Sequence, residues 1–458
     1  MFVGRKKELK ELQKFYKEDS TAVMCLYGRQ GMGKTALLQE FSKDKNTIFF
    51  TAYPTTDQKE VELFGNVLGV TGATDLSLLL EKMTPKNDME KILLIIDHYP
   101  YFAKAEASYA STLYQFVTEK WQEKQVKIIL CGDSYLHMEK LVYSPKALWH
   151  KQLSICMELT GLTYEEAKDF FQGESAEDAV FSYGISGGIP SHLKQLQKTK
   201  QESVQEIYLR PEDEAGLLPE KTMSMELREL SYYNRMLSTL AEGKSRVNEI
   251  SEAVQKPKDV VVPYMNTLMS IGVVTKENPV TEKTNRKKTR YSIVNSHDVF
   301  WYRYIVPHMD LYYAGAMDEL YKKQIQPYLN DYMKPVFIKM CREYLVAASQ
   351  AQKVEFQINE IGNWWENDEE KKTSEGFDIV ALGETEGKNA TIFGRCYYTE
   401  KPIEIAELKE LIDLTKRVKD KGEVYYIAFS KSGFHENAKT VAEAIKNIML
   451  VSLKEIVQ

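Results

Sequence analysis

Residues 28–35 read Gly28-Arg29-Gln30-Gly31-Met32-Gly33-Lys34-Thr35, and this stretch decides how the first half of the chain folds. The spacing fits G-x-x-x-x-G-K-[ST], the Walker A pattern of a phosphate-binding loop. Its glycines let the main chain turn tightly, so that successive N–H groups point at phosphate oxygens. In such a loop Lys34 reaches the β- and γ-phosphates and the Thr35 hydroxyl holds Mg²⁺. The pattern therefore predicts ATP and Mg²⁺ as ligands.

The segments on either side of the loop provide the context that this motif requires. Residues 22–27 are an apolar run that predicts a short buried strand, and residues 36–41 predict a helix. The N-terminus of that helix directs its positive dipole end at the bound anion. The residues predicted here to bind the nucleotide are Gly28, Gly31, Met32, Gly33, Lys34, Thr35 and Ala36.

A second apolar run, residues 91–97, ends in an acidic residue. Its continuous apolar character is typical of a parallel strand covered on both faces. Asp97 ends the run, and at that edge of the sheet it can share Mg²⁺ with Thr35. Many ATPases of this type place a glutamate next, to activate the attacking water. Here His98 follows, and it could accept a proton at neutral pH, so Asp97 and His98 are the candidate catalytic residues.

Further along, residues 126–134 predict another buried strand that ends in polar side chains. Asp133 or Ser134 would then lie near the γ-phosphate, in the sensor position of such ATPases. The alternative, a plain turn after the strand, is equally compatible with the sequence.

Composition limits the classes of protein to consider. The chain has 458 residues, which predicts two to four domains. A net charge of −6 excludes a basic field over the whole protein but leaves room for a local basic patch. The five cysteines are isolated from one another, so a disulfide framework or a zinc site is not expected. Neither a signal-peptide core nor a membrane-spanning run is recognisable, and we expect a soluble, cytoplasmic protein without a membrane partner.

The order of motifs resembles the archaeal-type ATPase family, which is similar to AAA+ and STAND ATPases. The motifs are Val3-Gly4-Arg5, the phosphate loop, the apolar run ending in Asp97, Leu-Thr-Tyr-Glu-Glu-Ala at 162–167 and Gly-Gly-Ile-Pro at 187–190. The resemblance implies that Val3, Gly4 and Arg5 cradle adenine. It also implies a helical lid behind the core, then a winged helix and a C-terminal domain similar to PD-(D/E)xK nucleases.

This resemblance sets the expected architecture. The fold class is α/β: a P-loop AAA+-like parallel sheet with a helical lid, then a winged helix and a restriction-endonuclease-like α/β domain. The predicted domains are residues 1–155 for the ATPase core, 156–215 for the lid, 216–298 for the winged helix and 299–458 for the nuclease-like domain.

The predicted winged helix carries a basic wing. Helical patterns at 232–243, 246–254 and 258–270 precede strand patterns at 271–274 and 289–294. Cations between the two strands could contact nucleic-acid phosphates without reading sequence. The alternative is a hairpin used for domain packing. The candidate DNA contacts are Lys283, Arg286, Lys287, Lys288 and Arg290.

The nuclease-like domain lacks most of the chemistry that its relatives use. Ile338 stands where those relatives place an acid, and Arg395-Cys396-Tyr397 stands where they place Glu-x-Lys. Asp378 remains, but a single carboxylate cannot hold a catalytic Mg²⁺ against water. The sequence therefore predicts a scaffold that does not cut DNA and that offers a surface to a protein partner or to nucleic acid.

Two departures inside the ATPase part favour slow hydrolysis. His98 replaces the usual glutamate, and residues 144–152 lack the paired arginines that relatives tend to have there. Arginine is the preferred stabiliser of transferring phosphoryl charge. The favoured hypothesis is an ATP/ADP-dependent switch with at most weak ATPase activity. The alternative is an active ATPase that binds or remodels DNA, as in defence against foreign DNA.

Overall fold

The computed structural model describes residues 2–87, 89–197, 199–208, 218–368, 373–419, 421–445 and 447–458. Within these residues twelve strands form three sheets. The strands are β1 Ala22–Tyr27, β2 Thr47–Thr51, β3 Lys91–Asp97, β4 Gln125–Gly132, β5 Leu153–Glu158, β6 Val274–Glu277, β7 Arg290–Ile293, β8 Gln357–Asp368, β9 Thr373–Thr385, β10 Lys388–Tyr397, β11 Glu423–Ser430 and β12 Ile448–Ser452.

The first sheet has the order β2-β3-β4-β1-β5 and is parallel throughout. Its strands are apolar because helices cover both faces. Leu94 and Ile96 of β3 face one core cluster, and Leu93 and Ile95 face the other. The covering helices are Lys6–Lys17, Lys34–Ser42, Asp57–Val67, Leu76–Met83, Tyr99–Ala105 and Ala107–Gln115. The predicted α/β class with a P-loop AAA+-like sheet is confirmed.

Strand β5 is the element of this sheet that the sequence did not predict. Half-buried and exposed residues alternate along it, as on an edge strand with one face toward solvent. A short alternating run gives a weaker signal than the continuous apolar runs of β1 and β3. The domain boundary predicted at 155/156 falls inside β5, so the ATPase sheet extends to Glu158.

A group of short helices follows the first sheet, where a lid was predicted. They are Tyr164–Ala167, Ala176–Ser186, Pro190–Leu193 and Lys200–Tyr208. Thr163 caps the first of them by accepting the Glu166 N–H at 3.3 Å, and the Glu166 side chain accepts the Thr163 N–H at 3.0 Å. This reciprocal pair is a capping box. The boundary predicted at 215/216 lies outside the described residues.

The middle of the chain has four helices and a hairpin. The helices are Leu218–Glu226, Ser231–Ala241, Val247–Val254 and Lys258–Ser270, and β6 pairs antiparallel with β7. Residues 271–273 were predicted to begin the first strand. They form a turn instead, with Gly272 at φ +68°, and the strand begins at Val274. The winged helix stays a prediction, which this order of elements supports.

The C-terminal part is built on a mixed sheet with the order β12-β11-β10-β9-β8. The strands from β8 to β10 are antiparallel, and those from β10 to β12 are parallel. The sequence pattern predicts a helix over residues 335–345, and the observed helix runs from Leu329 to Gln350, with Pro335 in its interior. Shorter helices include Ser296–Phe300, Met309–Tyr313, Met317–Leu320, Ile405–Leu414, Glu436–Ala444 and Leu453–Val457.

One apolar core runs through the lid, the middle helices and the C-terminal sheet. It includes Ile185 of the lid, Leu237 of the middle helices and Phe337 beneath the last sheet. The boundary predicted at 298/299 falls inside the helix Ser296–Phe300, which packs in this core through Phe300. Among the described residues, no helix combines the length and the apolar character needed to cross a bilayer.

Candidate nucleotide-binding site

A cavity of about 340 Å³ opens at the carboxyl edge of the first sheet, between the phosphate loop and the lid. Its volume lies at the lower end of the range for small-molecule sites, about 300–1,000 Å³. The predicted residues that line it are Val3, Arg5, Gly31, Met32, Gly33, Lys34, Thr35, Ala36 and His98. Asp133 joins them, together with Phe2, Gln30 and the lid residues Leu162, Phe170, Pro190, Ser191 and Lys194.

The glycines of the loop are required by its shape. A Cβ atom at Gly28 would lie 2.3 Å from the carbonyl oxygen of Leu159, so no side chain fits there. Gly33 has φ +83° and starts the helix Lys34–Ser42 from a left-handed conformation that glycine adopts without strain. The loop therefore turns directly into the helix whose N-terminus faces the cavity.

Lys34 lies at the centre of the loop. Its ammonium donates to the carbonyl oxygens of Gly28 at 2.7 Å and Arg29 at 3.0 Å, and it forms an ion pair with Asp133. The side chain is only 5% exposed. A buried ammonium surrounded by main-chain carbonyls and one carboxylate can exchange these partners for phosphate oxygens. The residues present therefore fit a nucleoside triphosphate.

Thr35 and Asp97 meet beside the cavity. The Thr35 hydroxyl donates to a carboxylate oxygen of Asp97 at 2.7 Å, and Asp97 is 2% exposed at the end of β3. No group of three or more histidine, cysteine, aspartate and glutamate side chains that could hold a metal occurs in the described residues. Mg²⁺ needs no such group, because it takes one or two protein ligands together with phosphate oxygens and water. Thr35 and Asp97 fit that role.

His98 and Asp133 form a pair at the rim. Nδ1 of His98 lies 3.0 Å from Asp133, and this hydrogen bond raises the pKa of His98 despite partial burial. Burial opposes the charge of Asp133, but His98 and Lys34 outweigh it and lower the pKa of Asp133 to about 2. Ser134, the other sensor candidate, caps the helix Tyr135–Met138 and bonds to Glu226 at 2.9 Å. Of the two, Asp133 is the residue that lines the cavity.

Arg5 and Gly4 hold the wall of the site. The Arg5 guanidinium is buried and donates to Met32 O at 3.0 Å and to Thr160 O at 2.5 Å. It thereby ties the first segment to the phosphate loop and to the start of the lid. Gly4 lies against Leu162 and Glu166. Of the predicted adenine cradle, Val3 and Arg5 line the cavity.

Arg29 makes a contact that sequence reasoning missed. Its guanidinium forms a two-point ion pair with Asp298 on the helix Ser296–Phe300, one leg measuring 3.0 Å. Burial disfavours the charge of Arg29, but Asp298 outweighs burial, so the pKa of Arg29 is raised. Both side chains are 5% exposed or less. Arg29 occupies a variable position of the loop motif, and no local pattern announces a partner 269 residues away.

Three of the five wing cations are engaged within the chain. Lys283 pairs with Glu360 at 2.5 Å and Lys288 with Glu282 at 2.6 Å. Arg290 donates to Ser374 at 2.7 Å and covers the ring of Trp365. Arg286 and Lys287 are exposed. Most of the wing therefore packs on the C-terminal sheet, which corresponds to the packing alternative.

The nuclease-like positions hold structural contacts. A carboxylate oxygen of Asp378 accepts the Cys396 N–H at 2.8 Å, and burial raises the pKa of Asp378. Arg342 donates to the main-chain oxygen of Asp378 at 2.8 Å. Arg395 points toward Glu410 at 3.5 Å, while Ile338 packs against the core.

Two family models match the chain. Residues 2–196 match an ATPase domain predominantly from Archaea, and residues 301–410 match a family described as archaeal and bacterial proteins of unknown function. An uncharacterized protein of Methanocaldococcus jannaschii is 25% identical over 389 residues, which are 85% of this chain and 86% of that protein. An uncharacterized ATP-binding protein of the same organism is 42% identical over 45 residues, 10% of this chain and 76% of that protein.

Two solved structures are also similar. The Walker-type ATPase of Pyrococcus abyssi is 16% identical with a TM-score of 0.44, covering 66% of this chain and 96% of that one. The ORC2 protein of Aeropyrum pernix, solved in ADPNP–ADP complexes, is 13% identical with a TM-score of 0.42, covering 69% and 96%.

Proposed function

We propose that this chain, whose residues 2–196 match a family of ATPase domains found predominantly in Archaea, is a nucleotide-dependent switch. It binds ATP with Mg²⁺ between the phosphate loop and the lid, hydrolyses it slowly, and changes what its C-terminal half presents to a partner. Lys34 takes the β- and γ-phosphates. Thr35 and Asp97 hold Mg²⁺, which supplies charge compensation for the phosphates.

The observation that carries this proposal is the buried ion pair between Arg29 and Asp298. Arg29 is the second residue of the phosphate loop, and its carbonyl oxygen accepts a hydrogen bond from Lys34. Asp298 lies on a helix in the core shared with the C-terminal sheet. A rearrangement of the loop would therefore move that helix, because the two hydrogen bonds between Arg29 and Asp298 connect them.

The difference between nucleotide states would arise at Lys34. In the structure its ammonium contacts Gly28 O, Arg29 O and Asp133. A γ-phosphate would compete for these N–H donors and would release the Arg29 carbonyl. A ligand shifts a conformational equilibrium only through such differential contacts, and the γ-phosphate is the group that differs between ATP and ADP.

Slow hydrolysis follows from the choice of base. His98 stands at the position of the usual glutamate, and its pKa is raised by Asp133. A protonated imidazole cannot accept a proton from water, so a raised pKa leaves less of the neutral base than an ordinary histidine would supply. Arg29, the arginine of the phosphate loop, is occupied by Asp298.

A second candidate is an active ATPase that binds or remodels DNA. The observation in its favour is the His98–Asp133 pair at 3.0 Å, because a carboxylate that orients an imidazole is a common way to build a general base. In that case turnover would be substantial and would respond to DNA.

Calorimetry with MgATP, run beside steady-state phosphate release with and without duplex DNA, tests the proposal. We expect binding that Lys34→Ala abolishes, with turnover no faster than about 10⁻² s⁻¹, the range of slow nucleotide switches. Lys10→Ala, on the exposed side of the first helix, is the matched control and should bind normally. Turnover of about 1 s⁻¹ or more that rises with DNA would favour the second candidate, and no ATP binding would end both.

A further inference from the structure

A second, larger cavity lies far along the chain from the phosphate loop, between the wing and the C-terminal sheet. It measures about 1190 Å³, above the range of sites for small molecules. One wall is the wing, residues 276–291, and the other is residues 360–363 of β8. Its floor includes Arg246 and Asn248, at the start of the helix Val247–Val254, and Arg342 of the helix Leu329–Gln350.

The lining of this cleft is basic, although the protein as a whole is acidic. Six lining residues are cationic and two, Glu277 and Glu360, are anionic. Both carboxylates already have partners within the chain. Glu360 pairs with Lys283 at 2.5 Å, and Glu277 accepts from Asn363 at 3.0 Å with Arg342 at 3.8 Å.

The side chains of three lining cations have no ionic or hydrogen-bonding partner in the part of the chain that the structure describes. They are Lys276, Arg286 and Lys287, all exposed and all on the wing. Cations that line a cleft without counter-charges create a positive potential that attracts an anion. Three such cations along one wall of a cleft of about 1190 Å³ suit a polyanion better than a single phosphate.

The wing cannot act as a free arm that enters a groove of duplex DNA. Its main chain donates from Val280 N to Asn363 O of β8 at 2.9 Å. Arg290 reaches Ser374 and Trp365 of the C-terminal sheet, and Lys283 reaches Glu360. A duplex is read by an element that projects into a groove about 12 Å wide, whereas this hairpin lies against a sheet.

We propose that this cleft binds the phosphate backbone of a single-stranded nucleic acid. A flexible single strand can follow a cationic groove whose wall is a hairpin held against a sheet. Lys276, Arg286 and Lys287 contact consecutive phosphates along the wing. The one aromatic residue in the lining, Tyr291, is 8% exposed and offers no stacking surface, so binding does not depend on base sequence. The site is independent of the ATP-binding proposal.

Fluorescence anisotropy tests this site with the full chain and a labelled dT15 strand of about 15 nucleotides. The titrations are run without ATP or ADP, at about 50–200 mM salt. The triple variant Lys276→Gln/Arg286→Gln/Lys287→Gln removes the three free cations. Each contacted phosphate of a single strand contributes about 0.7 to the slope of log K against log salt. We expect the slope to fall in magnitude by about 2 and the affinity to fall at least about tenfold.

The matched control is Lys10→Gln/Lys322→Gln/Lys409→Gln, which removes the same charge from exposed lysines outside the cleft. Its affinity for the strand should lie within about twofold of that of the unmodified protein. Both variants should have the melting temperature of the unmodified protein, because none of the six side chains is buried. Labelled dA15 and rU15 strands distinguish base and sugar preferences. Equal binding of all three supports readout of the backbone alone.

Several outcomes would overturn the inference. The unmodified protein could fail to bind dT15, or the control variant could lose as much affinity as the triple variant. A duplex of about 15 base pairs could also bind more tightly than the single strand. Displacement of the strand by a poly-glutamate peptide at equal charge concentration would also overturn it, since the cleft would then serve an acidic protein segment.

Discussion

At the scale of single residues, His98 and Asp133 define the chemistry available beside the phosphates. Asp133 contacts both His98 and Lys34, so one carboxylate serves two cations. His98 has φ +56°, a left-handed conformation that is uncommon outside glycine. Its ring contacts Asp133 through Nδ1 at 3.0 Å.

The titration of His98 should report this contact. Asp133 raises the pKa of His98 above its ordinary 6.5. Protonated His98 stabilises the folded protein. This stabilisation is fully present below pH 6.5, the ordinary pKa of histidine, and is lost as the pH rises through the raised pKa. In an NMR titration Asp133→Asn should lower the midpoint of His98, while Asp310→Asn, an exposed change elsewhere, should leave it in place. Any turnover that uses neutral His98 should rise with pH through the same midpoint.

An unshifted midpoint in Asp133→Asn would contradict the assignment of Asp133 as the partner of His98. A midpoint that moves equally in Asp310→Asn would show that only the general charge of the protein matters.

Local residues of the site could be predicted from sequence because their roles are set by short-range geometry. The loop glycines, Lys34 and Thr35 follow one another directly, and Asp97 ends a strand of the same parallel sheet. The partners of Asp133 and Arg29 could not be predicted. Either of two adjacent residues could have faced the site, and the choice fell to Asp133 because Ser134 caps a helix.

At the scale of elements, the ion pair of Arg29 with Asp298 joins the phosphate loop to the helix Ser296–Phe300. That helix also contributes His297, which is fully buried and stacks on His192 of the lid with ring centres 4.1 Å apart. Burial lowers the pKa of His297, with His192 and Arg29 adding to the effect. The loop, the lid and this helix therefore meet at one buried point.

Removing one partner of that ion pair should be costly. Asp298→Asn leaves the buried Arg29 without its counter-charge, and such a loss costs about 3–5 kcal/mol of unfolding free energy. Urea unfolding measures it, with Asp310→Asn as the exposed control that should stay within about 0.5 kcal/mol. The double variant Arg29→Met/Asp298→Leu should recover much of the loss, because no unpaired charge remains. Equal stability of Asp298→Asn and the control would contradict a stabilising role for the ion pair between Arg29 and Asp298.

The sequence predicts elements well where burial is complete and less well at edges. Strands β1 and β3 match their predicted bounds, because their residues are apolar without interruption. Strand β5 escaped notice because an edge strand needs apolar residues only at alternate positions. The helix Leu329–Gln350 was predicted too short, since Pro335 suggested a start that tertiary packing overrides.

At the scale of the whole molecule, the C-terminal sheet carries one acid, Asp378, of the nuclease pattern with which the sequence was compared. A carboxylate oxygen of Asp378 accepts a hydrogen bond from the Cys396 N–H. Arg342, Arg395 and Lys334 lie close enough to affect its charge. A site with one carboxylate among cations attracts anions more readily than Mg²⁺.

Incubation of supercoiled plasmid with the protein in Mg²⁺ or Mn²⁺ tests this reading. We expect no nicking or linearisation above a protein-free control, because one carboxylate cannot assemble a metal site for strand cleavage. Cleavage that disappears in Asp378→Ala but persists in Asp310→Ala would show that the nuclease site works.

The central claim is that the nucleotide state of the phosphate loop reaches the C-terminal half through Arg29 and Asp298. Hydrogen exchange with and without MgATP tests it most directly, with Lys34→Ala as the variant that does not bind. The account predicts that ATP changes exchange in the loop, in the lid and in residues 296–308 of the unmodified protein, and in none of these in Lys34→Ala. Changes confined to residues 2–196, with none around Asp298, would contradict it.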